Sequence, residues 1–387
     1  MVYLKAKILS DRDRSRVPRV QVTELHWRDP PLDPIALPKG GGPMQLCLSV
    51  GSGLARRPGD LPGRVWGLGD RGPNIKIRTA RKRYGLEGLK HLKDVDGAKV
   101  LPLPHFQPML AELQVLGDQV TWIRSLPLRT LDTLLSGRPL PSAAGQAMEP
   151  TFDLEGRPLP DDPAGCDPEG VAVLADGSFF VSEEYGPSIL NVGADGVVRA
   201  RWTPPGVDVP GALPVLPASA KRRRLNRGFE GVCVSGDERW LYAGFQSGFE
   251  GASPFSTTIW KLDAATGALA AEYSYPFDPP ASFRRDAAEG ADASDLKVCE
   301  LAWLAPDRLL VLERMTRDAR LYRVDVATAG PLAKTLVFST DHHPEVAPDL
   351  EGVTLLDERT LLLATDNDFG VEGAATRFYR LAFAAPL

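Results

Sequence analysis

Asp167-Pro-Glu-Gly-Val-Ala-Val-Leu174, an Asp176-Gly177 pair and Ser178-Phe-Phe-Val-Ser-Glu-Glu-Tyr-Gly-Pro187 read together as a β-hairpin with a carboxylate at each open end. Two apolar, strand-like runs flank an Asp-Gly turn, the strongest short-range hairpin signal a sequence carries. Antiparallel pairing returns the end of the second strand, Glu183-Glu184, opposite the start of the first, Glu169. The acids meet.

The unit recurs. Glu230-Gly-Val-Cys-Val leads through Gly236-Asp237 to Trp240-Leu-Tyr-Ala-Gly-Phe-Gln246, and Glu300-Leu-Ala-Trp-Leu through Pro306-Asp307 to Leu309-Leu-Val-Leu-Glu313-Arg314. Glu351-Gly-Val-Thr-Leu-Leu leads through Asp357 to Leu361-Leu-Leu-Ala-Thr-Asp366-Asn367-Asp368. From the first Glu to the polar end, Glu169 to Glu184 is 15 residues, Glu230 to Gln246 16, Glu300 to Glu313 13 and Glu351 to Asp366 15. The starts lie 61, 70 and 51 residues apart, longer than the ~40 to 50 of compact propeller blades but in keeping with blades that carry loop insertions. The expected fold is all-β: a β-propeller of five or six four-stranded blades.

Bulk composition agrees. The chain has 387 residues, with 37 Gly and 35 Pro, which suits many short strands and turns, and long helical patterns are scarce. With 45 basic against 50 acidic residues the net charge is −5, so neither a nucleic-acid footprint nor a membrane-seeking charge is visible. No apolar stretch approaches the ~18 residues of a membrane span. Met1 to Val20 is too charged for a signal peptide, which predicts a soluble cytoplasmic chain, or a periplasmic or secreted one if a signal has been removed. Cys47, Cys166, Cys233 and Cys299 show no metal-finger spacing; Cys47, Cys233 and Cys299, in or beside apolar strand runs, read as buried thiols, and Cys166 stands apart for its closeness to Glu169.

Residues 1–43 form an N-terminal segment in which 17–27 (VPRVQVTELHW) alternates as a strand without a nearby partner. The last repeat lacks a fourth strand, so this N-terminal strand is expected to close the last blade and to leave few exposed edges. Residues 44–387 are then one propeller domain. A degenerate first copy runs from Gln45-Leu-Cys-Leu-Ser-Val50 to Asp70-Arg71, with the hairpin Met109–Leu116 and Gln119–Leu126 as its outer half. Insertions lie at 76–104, rich in basic residues, and at 129–165, read either as a connector or as a weak extra blade. The run Lys221-Arg-Arg-Arg224 is a solvated loop or a phosphate-attracting patch.

In a propeller, one mouth of the central channel gathers equivalent positions from every blade. Here that mouth would receive Asp70, Arg71, Glu169, Glu184, Glu230, Gln246, Glu300, Glu313, Arg314, Glu351, Asp366, Asn367 and Asp368. Enclosed carboxylates without partners either shift their pKa upward or take a cation. Two arginines cannot neutralise so many acids. A hard divalent ion accepts roughly six to eight oxygens, and with no His or thiolate set in the pattern calcium is favoured, another divalent metal being possible. The competing structural reading has each Glu-Gly pair mark a strand start, the Glu accepting backbone N–H groups and the Gly allowing blades to pack closely. His342-His343 before Glu345 is a weak general-base candidate, and Ser182 lacks the G-x-S-x-G context of a serine nucleophile.

Asp70-Arg-Gly-Pro73, Asp167-Pro-Glu-Gly170, Glu184-Tyr-Gly-Pro187, Asn226-Arg-Gly-Phe-Glu-Gly231, Gln246-Ser247, Leu312-Glu-Arg314, Glu351-Gly352 and Asp366-Asn-Asp-Phe-Gly370 resemble, in order, the family called esterase-like activity of phytase. Glu183 stands where that family more often has Asp. The resemblance implies a β-propeller and hydrolysis of esters, including phosphate esters, and many such relatives look exported. The expected function is a metal-dependent hydrolase of a small-molecule phosphate or carboxylate ester. Glu169, Glu230, Glu300, Glu351, Asp366 and Asp368 are the expected metal ligands, and Arg71, Glu184, Glu313 and Arg314 the expected catalytic groups. Asp70, Gln246 and Asn367 are expected to contact substrate. The rival readings are a lactonase-like metal propeller and a non-catalytic propeller whose metal fixes the blades.

Overall fold

The computed structural model describes residues 18–38, 42–57, 59–141, 146, 148–327 and 330–387. Each recurring hairpin is the inner half of a four-stranded antiparallel sheet. The first sheet contains Gly53–Ala55, Arg64–Leu68, Met109–Leu116 and Gln119–Pro127, and the second Pro168–Val173, Phe179–Glu183, Ser188–Val192 and Val198–Trp202. The third contains Phe229–Val234, Trp240–Phe245, Ser256–Asp263 and Leu269–Pro276, and the fourth Lys297–Ala305, Arg308–Arg314, Ala319–Asp325 and Lys334–Ser339. The strands Ala212–Leu213 and Gly330–Pro331 add in parallel to the outer edges of the second and third sheets. The fifth sheet takes Leu350–Asp357, Thr360–Thr365 and Phe378–Phe383 from the C-terminal end and Val20–Leu25 from the N-terminal end.

That last pairing is antiparallel from Val20 against Phe383 to Leu25 against Phe378. The expected strand at 17–27 is therefore present over Val20–Leu25, with Val17 outside the described residues. Buried apolar side chains fill the spaces between successive sheets: first with second, second with third, third with fourth, fourth with fifth, and fifth with first. The first strands pack side by side in the same cyclic order. This is the sheet arrangement of a β-propeller, in a chain that is mostly β.

The two insertions join one another rather than forming a four-stranded sheet. Ile75–Lys76, Lys99–Val100 and Thr151–Phe152 make a small three-stranded sheet, and the helix Ile77–Tyr84 buries Ile77 and Ala80 beside it. That helix ends where Gly85 adopts φ +68°, and Arg81, Lys82 and Arg83 in its last turn complement the carbonyl end of its dipole. Among the described residues no helix is long and apolar enough to cross a membrane.

Candidate functional site

Inner strands and the loops that follow them converge on a cavity of about 360 Å³. Ten acids line it: Asp70, Asp167, Glu169, Glu184, Glu230, Asp349, Glu351, Asp366, Asp368 and Glu372. Five cationic side chains face them, Arg71, Lys76, Lys99, Lys297 and Arg314, and neither His nor Cys is among the lining residues. Local β-bulges aim the acids. The ladder of the second sheet shifts register at Ser182/Glu183 and leaves Glu169 unpaired between Pro168 and Gly170. Glu351 is likewise unpaired between Leu350 and Gly352, and Glu230 lies in the gap between Phe229 and Val232. A bulge re-aims a side chain in this way and is a common device beside binding sites.

Asp167, Glu169 and Glu184 each place one carboxylate oxygen so that the three lie within 4.8 Å of one another. Asp167 and Glu184 are buried, Glu169 partly so. Burial pushes Glu184 up to about 8, with the charge of Asp167 adding to it. Burial raises Asp167 to about 6, against the pull of Arg71. Glu169 is driven well above the ordinary carboxylate range by burial first and Glu230 second. Across the cavity, burial holds Asp70, Glu230 and Asp366 far up as well. Ionising this set is unfavourable unless positive charge enters.

The resident arginines are already engaged. Arg71 Nη1 reaches Glu149 at 2.6 Å and Asp167 at 3.5 Å and donates to the Tyr185 hydroxyl, while Lys99 lies 3.5 Å from the same Glu149. Arg314 bonds Cys299 Sγ at 3.1 Å, Asp349 at 2.9 Å and Glu351. The Gln246 amide donates to Glu230, and the Ser49 hydroxyl to Asp366. Three residues at this rim, Asn226, Asp349 and Asp368, hold left-handed backbone at φ +53°, +59° and +46°. Such conformations are costly away from glycine and concentrate at functional sites.

A family model described as phytase-like, esterase-like activity of phytase, matches residues 50–369. The chain belongs to this phytase-like family. The matched segment contains every cavity-lining residue except Val371 and Glu372. An uncharacterized secreted protein of Arthroderma benhamiae is 27% identical over 232 residues, covering 54% of this chain and 44% of that protein, so the chain spans less than half the length of this curated relative. Among solved structures, a putative oxidoreductase (glucose dehydrogenase) of Thermus thermophilus is 14% identical with a TM-score of 0.40, covering 94% of this chain and all of that one. An aldose sugar dehydrogenase of Streptomyces coelicolor is 14% identical with a TM-score of 0.38, over 95% and 99% of the two chains.

In the phytase-like chain the cavity brings together Asp70, Arg71, Glu169, Glu184, Glu230, Gln246, Arg314, Glu351, Asp366 and Asp368 of the expected set. It does not include Glu300, Glu313 or Asn367. In the fourth sheet the bulge falls between Val298 and Glu300, so Cys299 takes the place of Glu169 and Glu351, and Glu300 the place of Gly170 and Gly352. Its fully buried carboxylate accepts backbone N–H groups of Leu54 at 3.3 Å and Leu301 at 3.0 Å, and that of Val232. The same one-residue slip makes Arg314, rather than Glu313, the counterpart of Glu184 and Asp366. Glu313 is turned outward to Tyr275 Oη and Lys334 Nζ, both at 2.6 Å. Asn367 is spent on structure, donating to Leu48 O at 3.1 Å and accepting from Phe369 N at 2.8 Å.

Other expectations resolve locally. Glu183 accepts from Tyr185 N, Gly186 N and Ser188 Oγ at 2.7, 2.9 and 2.8 Å, which folds the Glu-Tyr-Gly-Pro corner, while Glu184 faces the cavity. All four cysteines are free thiols; Cys166 is buried in the core between the first two sheets, and Cys47 is partly exposed. His343 pairs with Glu345 at 3.0 Å and stacks on Phe338, outside the cavity. Within Lys221–Arg224, Arg223 is buried and donates to Tyr185 O at 2.9 Å, which makes it a brace for the corner after Glu184. Sequence reasoning missed Asp167 as a site residue although it precedes Glu169 by two positions, the spacing that puts two strand residues on one face. Lys99, Asn226, Lys297 and Asp349 arrive from loops and strand ends whose paths no periodicity encodes.

Proposed function

We propose that the protein is a calcium-dependent hydrolase of phosphate or carboxylate esters, with its site in this cavity at one mouth of a five-bladed propeller formed by residues 44–387 and closed in its last blade by Val20–Leu25. The observation that carries the proposal is the convergence of the Asp167, Glu169 and Glu184 oxygens within 4.8 Å in a rim where acids outnumber bases ten to five. Oxygens that each lie roughly 2.3 to 2.6 Å from one calcium are no more than about 5 Å apart, so three oxygens this close could share a single ion. All-oxygen donors suit a hard cation rather than zinc or copper. The residues fit the ion.

Calcium, when bound, supplies Lewis-acid polarisation of an ester oxygen. The chain does the rest. Arg71 and Lys99 hold Glu149 between them, and Arg71 fixes Asp167 at the edge of the trio. Arg314 restrains Glu351 and Asp349 on the opposite wall, leaving its guanidinium a positioning group rather than a grip on substrate. Asp368, whose carboxylate takes no hydrogen bond or ion pair among the described residues, lines the same cavity and is placed to accept a proton from an attacking water.

Elemental analysis of the purified protein, joined to turnover of p-nitrophenyl phosphate and p-nitrophenyl acetate with and without chelator, tests the proposal. The expected result is bound calcium, turnover of at least one ester, loss of that turnover on chelation, and its return with added calcium. Chelator-insensitive turnover, or an unchanged rate in Glu169→Gln, would sink it. Bound calcium without turnover of either ester would leave a metal-stabilised binding propeller.

A further inference from the structure

Lys297 opens the first strand of the fourth sheet and lines the cavity. Unlike the other enclosed cations of the rim, its ammonium has no ion pair or hydrogen bond among the described residues. Arg71, Lys99 and Arg314 each hold a carboxylate. Lys76, which also has no such partner, is exposed and stays hydrated. Lys297 is half-buried.

The register sharpens the anomaly. Lys297 sits directly opposite Arg314 in the antiparallel ladder, where like charges face one another and destabilise the pair. Arg314, and burial after it, lower the pKa of Lys297. The acids nearest in charge to Lys297 are committed elsewhere: Glu351 to Arg314 and Glu230 to the Gln246 amide. A half-buried ammonium set against a guanidinium is tolerated at low cost when an anion completes the arrangement.

We infer that Lys297 is the anchor for the negative charge of the substrate, which makes anionic esters, phosphate monoesters among them, the class this cavity selects. This rests on the hydrolase reading for its catalytic meaning. The anion contact itself is a binding property and is measurable without turnover. Lys297 is a specificity-determining residue here, so its loss should weaken binding of charged substrates while sparing both the chemical step and neutral esters.

The test uses the full-length, calcium-loaded protein. Inorganic phosphate is titrated by calorimetry into wild type, Lys297→Gln and Lys297→Arg, and kcat and KM are measured for p-nitrophenyl phosphate and p-nitrophenyl acetate. Removing one charged hydrogen bond predicts phosphate binding and the KM for the phosphate ester weakened about tenfold or more in Lys297→Gln. The kcat and the KM for the acetate should change less than about twofold on the same arithmetic, with much of the phosphate affinity regained in Lys297→Arg. Because the substitution relieves repulsion with Arg314, Lys297→Gln should melt no lower than wild type. Equal phosphate affinity in wild type and Lys297→Gln, absence of phosphate binding by wild type, or a lower melting temperature of the variant would each overturn the inference. Phosphate binding that depends on Lys297 in a protein turning over neither ester would support the anion site and contradict only the hydrolase reading.

Discussion

Cys299 and Glu300 show how much one position decides. In three hairpins the pair reads Glu-Gly, with the Glu in or beside the bulge and the Gly where inner strands of neighbouring sheets nearly touch. A Cβ on Gly170 would come within 2.5 Å of Glu230 O, and one on Gly231 within 2.5 Å of Glu300 Cα. In the fourth hairpin the pair reads Cys-Glu. Because strand faces alternate with a period of two, a shift of one residue sends the acid to another environment. Glu300 thus ties inner strands of the first, third and fourth sheets through their backbone N–H groups instead of facing the cavity. The acidic pattern was legible in the sequence, but the register was not, since Glu300 and Glu313 satisfy a count of acids as well as Cys299 and Arg314 satisfy the geometry. The shorter span of 13 residues from Glu300 to Glu313 was the signal: measured from Cys299 to Arg314 it becomes 15, as in the second and fifth sheets.

A stability prediction belongs to this residue. Burial raises the Glu300 carboxyl well above its ordinary value of 4.5, so the folded chain holds it protonated where the unfolded chain ionises it. Its contribution to stability is complete below about 4.5 and is lost as pH rises toward the raised value. Glu300→Gln keeps an acceptor oxygen for the backbone donors and cannot ionise. The fall in melting temperature between pH 5 and pH 8 should therefore be smaller in Glu300→Gln than in wild type. Equal falls would show that Glu300 stays ionised in the fold.

At the level of elements, alternation and turn chemistry carried most of the information. The Asp-Gly turn of the second sheet is where it was expected, with Gly177 at φ +85°, and the pairing of the two chain ends follows from a strand left without a partner at each end. What could not be read was the path of the insertions. Residues 76–104 bring Lys76, Thr79 and Lys99 to the cavity wall, and no repeat or period marks them for it. The closing strand carries its own prediction. Leu25 is 4% exposed and packs among Val50, Leu54, Leu113, Leu362 and Phe378, which belong to the first and last sheets and the segment leading into the first. Leu25→Ala should cost about 2 to 4 kcal/mol of unfolding free energy, as a large-to-small change in a packed core does. A denaturant midpoint within error of wild type would mean that the closing strand adds no stability.

For the molecule as a whole, cyclic packing of sheets explains why acids distant in sequence share one rim. Glu169, Glu230 and Glu351 meet because each opens an inner strand and the inner strands adjoin in a ring. Glycines at the next position in each hairpin permit the close approach. The arrangement concentrates negative charge where solvent is partly excluded, and the resident cations are too few to offset it. Recognition of the family and of the β architecture followed from motifs spread along the chain. The balance of acids and bases in the cavity did not, because two of its five cations, Lys76 and Lys99, come from an insertion outside the repeats.

The most direct measurement of this account is calorimetric titration of calcium into chelator-treated full-length protein, wild type beside the double variant Asp167→Asn/Glu169→Gln, at fixed pH and ionic strength. The account predicts saturable binding near one equivalent in wild type, accompanied by a rise in melting temperature, and its loss in the double variant with the fold retained. Absence of saturable binding in wild type, or undiminished binding in the folded double variant, would contradict it.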